Sequence, residues 1–231
     1  MLTVIIICKD PDEFLLRAVK SVEELNPQIL IGLSSTYNQP LGVRKKNLIS
    51  MASYEWVLII DTDEAVSQHL RNEIKEMIEY RTNTVSGYEI PYENYIFGRR
   101  AFYGGEVFSK TRLIRKTVGS ITTADVHEEI TIRGKVGKLN GVIYHDSYRS
   151  LVQVLRKFTK YAWQMAGEKR KAHESVTVKK LFLYGPHMVW ARAVKDEGWR
   201  DGWRGIVIAL CFGYQETLMY WLMLFRNIFA Y

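Results

Sequence analysis

"EWVLIIDTDEAVS", residues 55–67, decides how this chain folds. The apolar residues Val57 to Ile60 run straight into Asp61, and Asp63 follows after a single threonine. An uninterrupted apolar run of this kind reads as a strand buried on both faces, as in a parallel sheet covered by helices. Its two carboxylates then emerge together at the strand's carboxyl end, where ligands of such sheets bind. Like charges this close raise one another's pKa unless something positive stands near them. A hard divalent cation suits the position, because Mg²⁺ or Mn²⁺ takes few protein carboxylates and fills its shell with water and phosphate oxygens. The plainer alternative is an N-cap cluster for the next helix, with Asp63 or Glu64 satisfying amide groups.

The flanking sequence supports the same sheet. "LTVIIIC" (2–8) and "QILIGL" (28–33) are further apolar strands. Between them, Asp10-Pro11-Asp12-Glu13 opens a helix, with Phe14, Leu15, Ala18, Val19 and Val22 at helical spacing. "RKKNLISMAS" (44–53) predicts a helix with Leu48, Ile49 and Ala52 inward. Ser67 is placed to cap a helix over 67–80 whose apolar face is Leu70, Ile74, Met77 and Ile78. Alternating strands and helices predict an α/β fold with a mostly parallel sheet. Residues 85–145 then turn to short strands and glycine-containing turns, and from 150 onward the pattern is helical. This divides the chain into a domain over 1–148 and a helical extension over 149–231.

Composition bounds the possibilities. The 231 residues suffice for one domain with an appendage or for two small ones. Apolar residues make up 47% and charged residues 25%, as in an ordinary globular protein. Cys8 and Cys211 stand in separate apolar contexts, which argues against a disulfide framework or a thiolate metal site and fits a reducing cytosol. Met1 to Ile7 is too short for a signal-peptide core and runs into Lys9-Asp10-Pro11-Asp12. The expected location is therefore cytoplasmic.

Charge is unevenly spread. The net charge of +7 comes wholly from residues 151–204, which carry twelve basic and five acidic side chains. The bases are interleaved with Phe158, Tyr161, Trp163, Phe182 and Trp190. No nucleic-acid recognition motif accompanies them. An anionic membrane surface is the expected partner, since each nearby Lys or Arg adds about 1 kcal/mol there. Trp199 and Trp203 suit an interfacial level. Residues 206–225 are long enough to span a bilayer, but Gln215, Glu216 and Thr217 sit at the middle, where a charge costs on the order of 3 kcal/mol. Read as a helix, Gly205, Ala209, Gly213, Glu216 and Tyr220 form a small or polar stripe. That stripe is expected to pack on protein. The apolar remainder is expected to meet lipid or a second subunit, which would make the chain a homo-oligomer.

Several motifs, in order, resemble one family. "LTVIIICKDPD", "LGVRKKNLISMASYEWVLIIDTDEAVS", "GRRAFYGGEVFSKTRLIRK", "ADVHEEI", "YHDSY" and "EGWRDGWRGIVIAL" are similar to successive segments of GT-A glycosyltransferases of family 2, nearest the lipopolysaccharide core glucosyltransferase branch. The resemblance implies a GT-A (Rossmann-like) fold. It also implies inverting transfer from a nucleotide-diphosphate sugar, such as a UDP-sugar, to a glycan or glycolipid acceptor. One departure stands out: where the family carries an Asp after its second strand to read base and ribose, this chain has Gly32, and the loop after Thr36 is short. A degenerate domain that binds nucleotide or glycan without catalysis is the alternative. A haloacid-dehalogenase-like phosphatase is a minor one, since the Asp-x-Asp lies on the third strand and Ala65 replaces the expected Thr or Val.

The resemblance assigns roles to individual residues. Asp63 is the expected direct metal ligand, Asp61 a ligand or ribose contact, and His145 a third ligand after the apolar strand Val142-Ile143-Tyr144. Lys46 stands where the family has an Arg near the diphosphate, with Arg44 beside it and Lys9 and Asp10 in the opening turn; Lys45 reads as a solvated face. For the general base, "TTADVHEEI" offers Glu128 first and Asp125 second, with His127 to orient a base or a phosphate. If Val126 and Ile130 face inward on a strand, Glu128 shares their apolar face, and a carboxylate there has a raised pKa.

Overall fold

A computed structural model of the chain describes residues 2–8, 11–33, 41–80, 85–117, 119–121 and 130–228. Alternation builds its sheet. β1 (Leu2–Cys8) and β3 (Trp56–Asp61) are buried along nearly their whole length. Leu2, Val4, Ile6 and Cys8 of β1 join Trp56, Leu58 and Ile60 of β3 in one apolar cluster. Ile5 and Ile7 join Val57 and Ile59 in a second cluster. Successive side chains of a strand point to opposite faces, so both faces of the sheet are core.

Helices cover each face. α1 (Glu13–Lys20) brings Leu15 and Ala18, and α3 (Gln68–Tyr80) brings Leu70, Ile74 and Met77, to the first cluster. α2 (Leu41–Met51) brings Ile49, followed by Ala52, to the second. The Ser67 cap read from sequence is present, and Asp12, expected in the first turn, is instead the N-cap of α1. The Asp12 carboxylate accepts from the backbone N–H groups of Phe14 and Leu15, both at 3.1 Å. Ser67 Oγ accepts from Leu70 N at 3.2 Å and from Val142 N at 3.1 Å.

The remaining strands are β2 (Gln28–Leu33), β4 (Glu64–Val66), β5 (Gly87–Ile96), β6 (Arg99–Arg100), β7 (Ser109–Arg115), β8 (Gly119–Ile121), β9 (Ile130–Ile132), β10 (Val136–Lys138) and β11 (Ile143–Tyr148). Among the described residues the main sheet runs β2-β1-β3-β7-β5-β11-β4, with β6 and β10 paired to β5, and β8 pairs β9 separately. β2, β1 and β3 are parallel. β7 is antiparallel to β3 and to β5, and β4 is antiparallel to β11. The sheet is thus mixed rather than mostly parallel. Parallel neighbours need a crossover of a dozen residues or more, usually helical, and among the described residues no helix stands between β5 and β11.

The chain forms two compact units. One comprises Met1–Glu93 and Phe108–Asp146; the other comprises Asn94–Val107 and Ser147–Tyr231. The stretch Asn94–Val107, which the sequence division leaves with the first domain, groups with the helices.

In this second unit, α4 (Leu151–Lys171) is capped by Ser150, and α5 (Val178–Trp190) by Thr177. A 3-10 turn over Gly198–Asp201 leads into α6 (Trp203–Ile228). Phe158, Ile208 and Cys211 centre one apolar cluster, and Ala162, Ala166, Met219, Tyr220 and Met223 another. The small stripe of α6 does pack on protein: a Cβ placed on Gly185 of α5 would lie 2.9 Å from the Gly213 carbonyl and 1.9 Å from Thr217 Oγ1. Small residues let two helix backbones approach this closely.

Candidate active site

The acidic tip of β3 meets a cluster of polar side chains from four other elements. Lys45 Nζ of α2 lies 3.4 Å from Asp61 Oδ1, and Arg112 Nη2 of β7 lies 3.1 Å from Asp61 Oδ2. The same Arg112 nitrogen donates to Glu64 Oε1 of β4 at 2.8 Å. Tyr92 of β5 donates its hydroxyl hydrogen to Glu64 Oε1 at 3.0 Å and accepts from Arg112 Nε. The second Glu64 oxygen accepts from the backbone N–H of Asp61 at 2.9 Å, which fixes the turn between the two acids. Around this cluster the Tyr92 ring stacks on Phe108, takes the edge of His145, and lies 5.7 Å from Lys110 Nζ.

Burial makes these pairings strong. The side chains of Lys45, Glu64 and Arg112 are 2%, 1% and 8% exposed, while that of Asp61 is 34% exposed. Burial alone pushes the Asp61 carboxyl up, but Lys45 and then Arg112 outweigh it and hold the group well below the usual range. Burial raises the Glu64 pKa, with Arg112 opposing. Burial likewise lifts the Tyr92 hydroxyl well above its ordinary value. Arg112 stays charged because Glu64, Tyr92 and Asp61 overcome its own desolvation. Burial and the neighbouring Arg112 lower the Lys110 pKa. The result is one fixed, ionised, half-open carboxylate at the sheet's carboxyl edge, backed by a buried guanidinium.

Asp63 takes a different partner. His145 Nε2 lies 3.6 Å from Asp63 Oδ2, and the Asp63 carbonyl accepts from the Asp146 backbone N–H at 2.9 Å. Pairing of β11 with β4 sets His145 opposite Glu64, which is how Asp63 and His145, 82 positions apart in sequence, come to share the site. Among the described residues no three of His, Cys, Asp and Glu gather as a metal-holding group. Both oxygens of Asp61 pair with cations, which compete with a metal for its charge but leave acceptor sites open on a carboxylate that is 34% exposed. Asp63 and His145 do fit as a two-residue anchor for a hard divalent ion, which needs few protein ligands.

One reading of α2 is corrected. Lys45 is 1% exposed and paired with Asp61, so it is not part of a solvated face. Lys46, expected near the diphosphate, is exposed. One residue turns a helix by about 100°, and packing of Ile49 and Ala52 on the sheet fixes the rotation that points Lys45 at the acids. Arg44 is half-buried, and its Nε and Nη1 have no hydrogen-bond partner among the described residues. Lys9, Asp10, Asp125, His127 and Glu128 lie outside the described residues.

Sequence reasoning missed Arg112 and the buried role of Glu64. A signal was present in "TRLIR", where Arg112 precedes two buried apolar residues of a strand. An arginine in such a run needs a carboxylate partner. Tyr92 was visible only as one of several aromatics flanking Gly104-Gly105, with Tyr95, Phe97, Phe102, Tyr103 and Phe108.

No protein-family model matches the chain. The chain is 24% identical over 217 residues to an uncharacterized glycosyltransferase of Rickettsia prowazekii (strain Madrid E), covering 80% of this chain and 72% of the relative. It is 24% identical over 220 residues to an uncharacterized glycosyltransferase of Rickettsia typhi (strain ATCC VR-144 / Wilmington), with the same coverage of 80% and 72%. Among solved structures, S. aureus TarS 1-349 aligns with a TM-score of 0.43 at 11% identity, over 98% of this chain and 91% of that one.

Proposed function

We infer that this chain, a glycosyltransferase in the likeness of its two rickettsial relatives, moves a sugar from a nucleotide-diphosphate sugar, a UDP-sugar in the first instance, to a lipid-linked or lipopolysaccharide-type glycan with inversion. The observation that carries the reading is Asp61, ionised and fixed by Arg112 and Lys45 at the carboxyl end of the parallel strands. Ligands of open α/β sheets bind there.

Each residue then has a task. Asp61 accepts hydrogen bonds from sugar or ribose hydroxyls. Arg44, with guanidinium nitrogens that lack a partner among the described residues, and Lys45 face the diphosphate. Asp63 and His145 would hold Mg²⁺ or Mn²⁺, which would neutralise charge developing on the leaving diphosphate. Glu128, or Asp125 in its place, takes the acceptor hydroxyl proton, and His127 orients it. Inversion needs only this one displacement, so no covalent sugar intermediate is invoked.

The helical unit supports a position at the cytoplasmic membrane face. Its basic surplus accompanies exposed Trp163, Trp190, Trp199 and Trp203. α6 is long and apolar enough over Trp203–Phe225 to cross a membrane by length and composition. With its small stripe packed on protein, we read it as lying against the membrane rather than through it.

One observation favours the second reading, a binding domain without catalysis. A Cβ on Gly32 would lie 2.6 Å from Leu48 Cδ1, so the place of the family's base-reading Asp is filled by a core side chain. A thermal-shift panel of nucleotide sugars with and without Mn²⁺ tests the main reading, because a ligand selective for the folded state raises the melting point. A stabilising sugar nucleotide whose effect needs Mn²⁺ and disappears in Asp63→Ala supports it. No shift with any nucleotide sugar sinks it. Binding without donor hydrolysis or transfer favours the second reading.

A further inference from the structure

The helical unit holds a cavity of about 310 Å³ that the proposed reaction does not use. Its wall brings together Arg99 and Arg100 of β6, Arg200 of the 3-10 turn and Arg204 of α6. The one carboxylate in that wall, Asp201, already accepts from the backbone N–H groups of Phe102 at 3.0 Å and Tyr103 at 2.9 Å. Arg200 pairs with Glu197 at 3.0 Å. Arg99 and Arg204 have no ion pair among the described residues, and the buried Nε of Arg204 has no hydrogen-bond partner there.

Three of these guanidinium groups lie over aromatic rings. Arg100 stacks on Phe102 at 4.7 Å, Arg200 on Tyr103 at 4.4 Å and Arg204 on Trp203 at 4.7 Å. A ring contact leaves a guanidinium's N–H groups for other partners, and their fork matches the oxygens of a phosphate. Four positive groups around a small cavity, against the engaged Asp201 and the Glu197 paired with Arg200, leave a positive surplus that fits a ligand of more than one negative charge. The pocket's surroundings are apolar as well as basic. Phe102, Trp199 and Trp203 are more than half exposed, and Ile206 and Leu210 continue the exposed face along α6. Aromatic rings at such a boundary sit at the headgroup level of a bilayer.

We propose that this pocket binds the phosphate monoester or pyrophosphate group of a membrane lipid. The proposal rests on the membrane reading above and names the group recognised there. Calorimetry on the full chain with dihexanoyl phosphatidate, a soluble lipid phosphomonoester, tests it directly. Binding is expected, and Arg99→Gln/Arg100→Gln, which alters two exposed residues, weakens it about tenfold or more. Dihexanoyl phosphatidylcholine, a zwitterionic diester, binds more weakly by a similar factor, and UDP binding is unchanged by the double substitution.

Absence of phosphatidate binding overturns the proposal, as does equal binding by the variant or equal binding of the two lipids. Inorganic phosphate binding as tightly as phosphatidate overturns the lipid assignment. Loss of UDP binding in the variant overturns it too, by moving these arginines to the donor site. Failure of the unaltered chain to bind any nucleotide sugar sinks the glycosyltransferase reading alone and leaves this result standing.

Discussion

Arg112 Nη2 lies 3.1 Å from Asp61 Oδ2, so β7 supplies, beside Lys45 of α2, a charge that steadies the first aspartate of the acidic tip. The same nitrogen serves Glu64, which is almost wholly buried. Removing Arg112 would leave Glu64 buried without a counter-charge and Asp61 with Lys45 alone. Arg112→Ala is expected to cost about 3–5 kcal/mol of stability, read by denaturant unfolding, because an uncompensated buried charge remains. Arg112→Leu with Glu64→Met should recover part of that loss. A cost below about 1 kcal/mol for the single change would show that the pairing does not hold the site together.

Rotation of α2 makes a sharp comparison between adjacent lysines. Lys45→Ala removes a buried partner of Asp61, whereas Lys46→Ala trims an exposed side chain. Lys45→Ala should raise the KM for the nucleotide sugar about tenfold or more, and Lys46→Ala by less than about twofold. Equal effects of the two would contradict the observed helix rotation.

Acid sensitivity should appear in the helical unit through Glu174. Its carboxylate accepts from Lys169 and Lys180, each at 2.8 Å, and these bonds lower its pKa from 4.5 to about 2. A carboxylate depressed in the folded state contributes stability above its unfolded pKa and loses it as pH falls toward the folded value. The contribution is therefore complete above about pH 5 and declines from there down to about pH 2. Glu174→Gln should cost about 1 kcal/mol at neutral pH, a size set by its partial exposure, and should flatten that acid limb. Unfolding curves of both proteins across this range that stay parallel would count against the assignment.

Close approach of α5 and α6 predicts a steric cost. Gly185→Ala would drive a methyl group into Thr217 and the Gly213 backbone. The expected loss is about 1–3 kcal/mol by thermal or chemical unfolding. Gly167→Ala in α4, where a Cβ meets nothing within 4 Å, is the control and should be neutral or slightly stabilising. A Gly185→Ala protein as stable as that control would show that the helices do not pack as described.

Much of the fold is written in short-range pattern. The runs "LTVIIIC" and "WVLIID" specify two-faced strands, and each strand's alternate residues enter opposite clusters as the period requires. Asp12 and Ser67 sit where helix caps belong, and they cap. The small stripe of α6 announces a close helix contact, and Gly213 makes one. These features depend on residues within a turn or two of each other, so a linear reading reaches them.

The sequence by itself determined the elements, their buried faces and the acidic tip of β3. Only the tertiary structure decided what stands beside that tip. Arg112 is 51 residues from Asp61, and its approach follows from β7 pairing antiparallel to β3. No local pattern encodes that pairing or the rotation that turns Lys45 inward. Both are settled by which arrangement fills the core while giving Lys45, Glu64 and Arg112 their counter-charges, a condition on the whole packed unit rather than on any one segment.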